Sequence, residues 1–262
     1  MSRWAARVLV VPLPMLLGCS LDYLDEHLGY GTSGGSGLCG CGDAGGDVLY
    51  DENFDAASGY CRSGTQTAID ENGVLDPDAP AGATNGCGAL RAGCKDPTVG
   101  CHAYAWYRFP KTTGAVYLRI RIRMDPWAKG SSGSFKVLEV GSDSAPNQNF
   151  DIVINVQPSG ASSKIKPCGW DNCDVGTLID ASDAEWHQIV LFHPNDGQSS
   201  IQYRWDETMI TNLAPSTKGP DYPFEYIRFG WLPGYADNGT TASLDDIRLC
   251  GANGAAACDW HD

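Results

Sequence analysis

Arg119, Arg121 and Arg123 follow Tyr117 at two-residue intervals, and that spacing decides what they can do. On a β-strand alternate residues share a face and stand about 6.5–7 Å apart, so the three guanidinium groups form a row. Like charges in a row repel. Either carboxylates on neighbouring strands pair with them, or an anionic ligand does. Cross-strand pairing suits so acidic a chain. The alternative is a groove for an acidic polysaccharide, with Tyr117 and Trp205 as stacking surfaces for sugar rings. Trp106, Trp170 and Trp231 are further stacking candidates, although tryptophan is more often core. His187 and Tyr203 have the right chemistry for proton abstraction and return, and equally suit a core or surface role.

The elements that must carry these residues are strands. Val116, Leu118, Ile120, Ile122 and Met124 alternate with Tyr117 and the three arginines, a period of two. Phe150, Ile152, Ile154 and Val156 alternate in the same way, as do Ile201, Tyr203 and Trp205. Further strand candidates are Tyr104–Phe109, Phe135–Val140, Trp186–Phe192, Glu225–Trp231 and Ser243–Leu249, separated by turn-rich segments. About nine or ten strands with one buried face each predict an all-β, two-sheet antiparallel sandwich. No helical periodicity competes.

Composition bounds the partners. The 262 residues carry a formal charge of −14, which argues against a duplex nucleic-acid partner, since that needs a basic footprint. Residues 56–102 are dense in cysteine and poor in core-building runs, and predict an insertion held by disulfides. Asp70-Glu71-Asn72-Gly73 and Asp76-Pro77-Asp78 depart from the ligand spacing of an EF-hand and suit a solvated loop. The GxGxxG matches at 29–34 and 40–45 and the GxSxG match at 31–35 lack the strand and helix that would give them function. HExxH and P-loop patterns are missing.

The N-terminus has a character of its own. Arg3 and Arg7 precede an apolar stretch from Val8 to Leu17, broken by Pro12 and Pro14, and far short of the roughly 20 residues that span a bilayer. It reads as an export signal. Its ending, Leu16-Leu17-Gly18-Cys19-Ser20, resembles the bacterial lipobox. That resemblance implies cleavage after residue 18, acylation of Cys19 and anchoring to the membrane; Ser20, rather than Asp, implies sorting to the outer membrane. Eleven cysteines is an odd number; with Cys19 set aside, ten remain to pair in an oxidising compartment. Five disulfides are expected. Cys168 with Cys173 and Cys250 with Cys258 are the local candidates, and Cys39 and Cys41 are not expected to pair with one another. A zinc site is the competing reading, but paired CxxC spacing is missing. Residues 19–46 hold the Gly/Ser-rich stretch Thr32–Gly37 and read as a tether, residues 47–250 as the sandwich, and 251–262 as a tail.

Four short segments carry a further resemblance. Trp186-His187-Gln188-Ile189-Val190-Leu191, Gln202-Tyr203-Arg204-Trp205-Asp206-Glu207-Thr208, Ala242-Ser243-Leu244-Asp245-Asp246-Ile247-Arg248-Leu249 and Phe54-Asp55 resemble strands of the concanavalin A-like jelly roll, the fold of laminin G-like domains, legume lectins and several polysaccharide-degrading enzymes. Glu207 stands where the second pattern has glycine. The resemblance implies a jelly-roll sandwich that binds carbohydrate. It also implies a structural Ca²⁺ where the first and last strands meet, with Glu52 or Asp51 and Asp246 as ligands; an aspartate capping loop backbone is the alternative. Strict alternation would turn Asp245 and Asp246 to opposite faces.

Enzymes of this fold give two tests. The glucanases carry E-x-D-x-E on one strand, which sets paired carboxylates on one face; here Phe135–Gly141 offers only Glu139 and Phe150–Val156 only Asp151. The alginate lyases carry an Arg-bearing strand, Q-x-H and Y-F-K-A-G; Arg119, Arg121 and Arg123 could stand for the first, and the other two are absent, though His187, Gln188 and Tyr203 are the right chemical types for proton abstraction and return. The expectation is therefore a lipid-anchored envelope protein displaying a glycan-binding jelly roll. A polysaccharide lyase or glycoside hydrolase of the same fold is the alternative, and a structural or adhesion protein a third.

Overall fold

The computed structural model describes residues 47–54, 59–77, 88–96, 99–124, 133–144, 149–157, 160–166, 184–210, 221–232 and 241–260. Cys19, Cys39, Cys41, Cys87, Cys168 and Cys173 lie outside them, with the segments read from sequence as export signal and tether. The strands are β1 Val48–Glu52, β2 Gln66–Ile69, β3 Gly73–Asp76, β4 Leu90–Cys94, β5 Ala103–Thr112, β6 Val116–Met124 and β7 Gly133–Gly141. They continue as β8 Phe150–Gln157, β9 Gly160–Lys166, β10 Trp186–His193, β11 Gln202–Trp205, β12 Thr208–Ile210, β13 Phe224–Leu232 and β14 Thr241–Cys250.

Two antiparallel sheets form a jelly-roll sandwich. One has eight strands in the order β12-β11-β10-β6-β14-β4-β3, with β1 on β14 as well. The other has six, β2-β5-β13-β7-β8-β9. The period of two sorts each strand. On β6, Val116, Leu118, Ile120, Ile122 and Met124 are fully buried; across the ladders Leu118 stands opposite Leu191 and Leu249, Ile120 opposite Ile189 and Ile122 opposite Leu244. Leu138, Ile152, Ile227, Phe229 and Trp231 face them from the six-stranded sheet, also fully buried. Each such side chain contributes about 1.5–3 kcal/mol of transfer free energy. Gly230 has φ +122°, and a Cβ there would meet the Ala103 carbonyl oxygen at 2.7 Å, so β5 and β13 can approach only over glycine.

The cysteine-dense stretch 56–102 carries pairing of its own. β2 edges the six-stranded sheet, β3 edges the eight-stranded one with β4 between it and β14, and Leu90 and Ala92 reach the core. Cys94 bonds Cys101, and Cys61 is also disulfide-bonded. At the other end Cys250 bonds Cys258, as its spacing suggested. The tail is ordered: a 3-10 turn at Ala256–Cys258 leads to a buried Trp260.

Candidate functional site

The arginine row lies on one face of β6, the outer face of the eight-stranded sheet, and carboxylates of the chain itself pair with its first two members. Arg119 is only 5 % exposed. Its guanidinium donates to Asp246 at 2.6 Å and to Asp259. Burial alone would lower the Arg119 pKa, and the two carboxylates outweigh it, so the net shift is upward. Arg121 Nε stands 3.8 Å from Asp246, and the Arg123 guanidinium lies 5.3 Å from the Trp186 ring centroid. A β-bulge makes this possible. The β14–β6 register shifts between Asp245 and Arg248, and Asp246 adopts φ +53°, a left-handed conformation aspartate tolerates. The alternation expected for Asp245 and Asp246 fails here: Asp246 turns to the arginines, and Asp245 stands in register with Arg121.

The tail packs on the Tyr117 end of that face. Trp260 lies 6.1 Å from Tyr117 and 5.6 Å from Phe192, with the Arg204 guanidinium 4.8 Å from its centroid. Tyr117, expected as a sugar-stacking ring, stacks on Phe192 instead. Trp205 and Tyr203 point the other way, into the core: they oppose Ile189 and Leu191 and are buried. His187 packs its ring against Trp205 at 4.9 Å, and its Nδ1 lies 3.0 Å from Asp206. The pleat therefore separates His187, Tyr203 and Trp205 from the arginines.

Glu52 and Asp246 do not converge on a calcium site. Glu52 is fully buried on the core side, where it accepts the N–H groups of Phe54 at 3.0 Å and Cys61 at 2.9 Å and the Tyr50 hydroxyl at 3.3 Å. Burial pushes its pKa up against those donors. Asp246 serves the arginines on the opposite face, and Asp51 pairs with Arg248 at 2.9 Å. Among the described residues no group of three or more His, Cys, Asp or Glu side chains could hold a metal ion.

The outer face of the six-stranded sheet presents a different constellation. β7 places Lys136 and Glu139 there, β8 Asp151, and β13 Tyr226 and Arg228. Glu139 stands in register with both Asp151 and Arg228. Lys136 bonds Glu139, and its Nζ lies 3.5 Å from Asp151. The Tyr226 hydroxyl donates to Glu139 at 2.9 Å, and Arg228 donates to the same oxygen at 3.1 Å. Burial raises the Glu139 pKa, but Lys136, Arg228 and Tyr226 outweigh it and hold the carboxyl below its usual range. Burial, then Glu139, pushes the Tyr226 phenol up, so it keeps its proton at neutral pH.

Exposure rises across this face towards β5. The Lys136, Glu139 and Asp151 side chains are nearly buried, Arg228 is 35 % exposed and Arg108 51 % exposed. Trp106 is in register with Arg228, and the Arg108 guanidinium lies 5.4 Å from its centroid. Arg108 also donates to Asp143, so Arg228 is the edge's planar donor for a carboxylate and Trp106 beside it the aromatic plane for a sugar ring.

Sequence reasoning missed this cluster for two traceable reasons. Paired acids were sought along one strand, whereas Glu139 and Asp151 meet across two. A search for the literal string Y-F-K-A-G also passes over Tyr226-Ile227-Arg228-Phe229-Gly230, which keeps Tyr and Gly at the same spacing, with Arg for Lys.

No family model matches the chain, and no curated protein matches it in sequence. Solved structures match in fold. Endo-β-1,4-glucuronan lyase from the fungus Trichoderma reesei has a TM-score of 0.51 at 13% identity, over 71% of this chain and 90% of that one. A botulinum neurotoxin type C structure, concerned with cell entry through two ganglioside molecules, also gives 0.51, at 11% identity, over 81% of this chain and 50% of that one. The cellulose-induced protein Cip1 gives 0.45 at 18% identity, over 73% of this chain and 88% of that one. The likeness is one of fold, the jelly-roll sandwich.

Proposed function

We propose that this is an exported, lipid-anchored glycan-binding protein that recognises an acidic polysaccharide on the outer face of its six-stranded sheet. The observation that carries the reading is the half-open edge made by Arg228, Trp106 and Arg108, beside a face whose deeper charges are already satisfied. Arg228 is held by Glu139 yet keeps a third of its side-chain surface in solvent, so it can pair with a uronate carboxylate without being stripped of its support. Trp106 beside it suits the apolar face of a sugar ring. In the arginine row, the first candidate from sequence, Arg119 and Arg121 face Asp246 and the tail's Asp259 pairs with Arg119, which favours a site on the opposite sheet. The lipobox-like segment at Cys19 supports anchoring in the outer membrane.

Affinity electrophoresis in gels cast with a polyuronate tests the site. Arg228→Gln removes one exposed charge pair worth up to about 1 kcal/mol, and retardation should weaken roughly fivefold. Retardation in gels cast with a neutral glucan should not change. Equal loss in both gels would contradict a carboxylate-reading role for Arg228.

A second reading, cleavage of the same polymer, is favoured by one observation. Two carboxylates, an amine and a phenol that keeps its proton meet on this face, the kinds of group that acid–base chemistry on a polysaccharide requires.

A further inference from the structure

Lys136, Glu139 and Asp151 form a constellation that need not serve a ligand at all. We propose that Lys136 and Asp151 become joined by an intramolecular isopeptide bond, with Glu139 moving the proton. The parts are in place. An amine and a carboxylate lie on adjacent antiparallel strands with Nζ 3.5 Å from Oδ1, and a second carboxylate touches the same amine. The side chains of Lys136, Asp151 and Glu139 are only 11 %, 9 % and 5 % exposed, in that order.

In water the pair would stay ammonium and carboxylate and would not react. Out of water, moving the proton from Lys136 to Asp151 removes two buried charges and leaves a neutral amine beside a carboxylic acid. Nζ then attacks Asp151 Cγ. The N–C bond forms, a C–O bond breaks, Glu139 takes a proton from the attacking nitrogen and gives it to the departing oxygen, and water leaves. Ammonium plus carboxylate become amide plus one water, with no change of oxidation state. Tyr226 and Arg228 hold Glu139 from its other oxygen, so its orientation is fixed. Holding the reactants together replaces activation by a cofactor, since well-oriented intramolecular partners reach effective concentrations on the order of 10⁵–10⁸ M.

The bond would tie β7 to β8 through a link that reducing agents do not break, unlike the disulfides at the two ends of the sandwich. It would also take Lys136 and Asp151 out of any catalytic role and leave Tyr226, Glu139 and Arg228 free to serve a glycan. The proposal does not depend on the glycan reading.

Tryptic mapping of the purified, reduced and alkylated chain tests it. Trypsin cannot cut after an acylated lysine, so the expected product is a single peptide running from Gly130 to Lys164 and lighter by one water. Cutting that peptide after Glu139 should leave its two pieces attached. Two separate peptides of full mass, ending at Lys136 and at Lys164, would overturn the proposal. So would a water loss mapped elsewhere, such as a succinimide at Asp196-Gly197. Lys136→Arg should abolish the cross-link, and Glu139→Gln should leave most of the chain unlinked. Complete linkage in Glu139→Gln would overturn the role given to that residue.

Discussion

Asp246→Asn separates a structural arginine row from a ligand-binding one. Asparagine tolerates the left-handed backbone at φ +53°, so the substitution removes charge without adding backbone strain. Arg119 remains buried, with its side chain 7% exposed, and keeps Asp259 as its one full counter-charge among the described residues. Breaking a buried ion pair costs about 3–5 kcal/mol. Here a second carboxylate stays and the amide oxygen still accepts a hydrogen bond, which lowers the expectation to about 2 kcal/mol. For a domain of this size that corresponds to a fall in Tm of about 4–8 °C. Near-UV circular dichroism during heating reads it, and gels cast with polyuronate read binding on the same samples. The expected result is the lower Tm with unchanged retardation at a temperature where both proteins are folded. An unchanged Tm with lost retardation would refute the reasoning and return the arginines to the ligand.

Two further outcomes follow from the same geometry. Glu139 has a folded-state pKa below its reference value of 4.5, so the unfolded chain binds more protons in that window. Its contribution is therefore present above pH 4.5 and lost as pH falls through the folded-state value. Burial opposes that shift and the Lys136 cation is its main cause, so it is read in Lys136→Arg, which keeps the charge and cannot cross-link. The Tm gap between Lys136→Arg and the double variant Lys136→Arg/Glu139→Gln should narrow on acidification, and a gap that widens would contradict the sign. Cys19→Ala should shift the protein from the detergent phase to the aqueous phase in Triton X-114 partitioning of cells expressing the full chain, and continued detergent partitioning would remove the lipid anchor.

The fold was legible wherever one face of a strand is apolar. Val116–Met124 matches its strand end to end, and Trp186–Phe192 and Ser243–Leu249 fall within β10 and β14, because the core enforces a period of two on those segments. β2 and β3 were not legible: their residues are mostly exposed or half-buried, so little apolar alternation marks them. The same period misplaced individual residues. Tyr203 and Trp205 share a face, as alternation requires, but only the register with Ile189 and Leu191 shows that this face is the core. The bulge at Asp246 inverts the expected direction of one carboxylate and thereby decides the fate of the arginine row. The Lys136–Glu139–Asp151 contacts depend on which strands lie side by side, and no single segment carries that information.

The central claim is that this sandwich holds an acidic glycan without cutting it. Size-exclusion chromatography of fluorescently labelled polysaccharides, acidic and neutral, after incubation with the protein in detergent tests it most directly. The account predicts that an acidic polymer co-elutes with the protein at unchanged chain length while neutral polymers do not. Acidic polymer that elutes later, shortened by the incubation, would contradict binding without cleavage and make the protein an enzyme; failure of every polymer to co-elute or shorten would contradict the glycan reading itself.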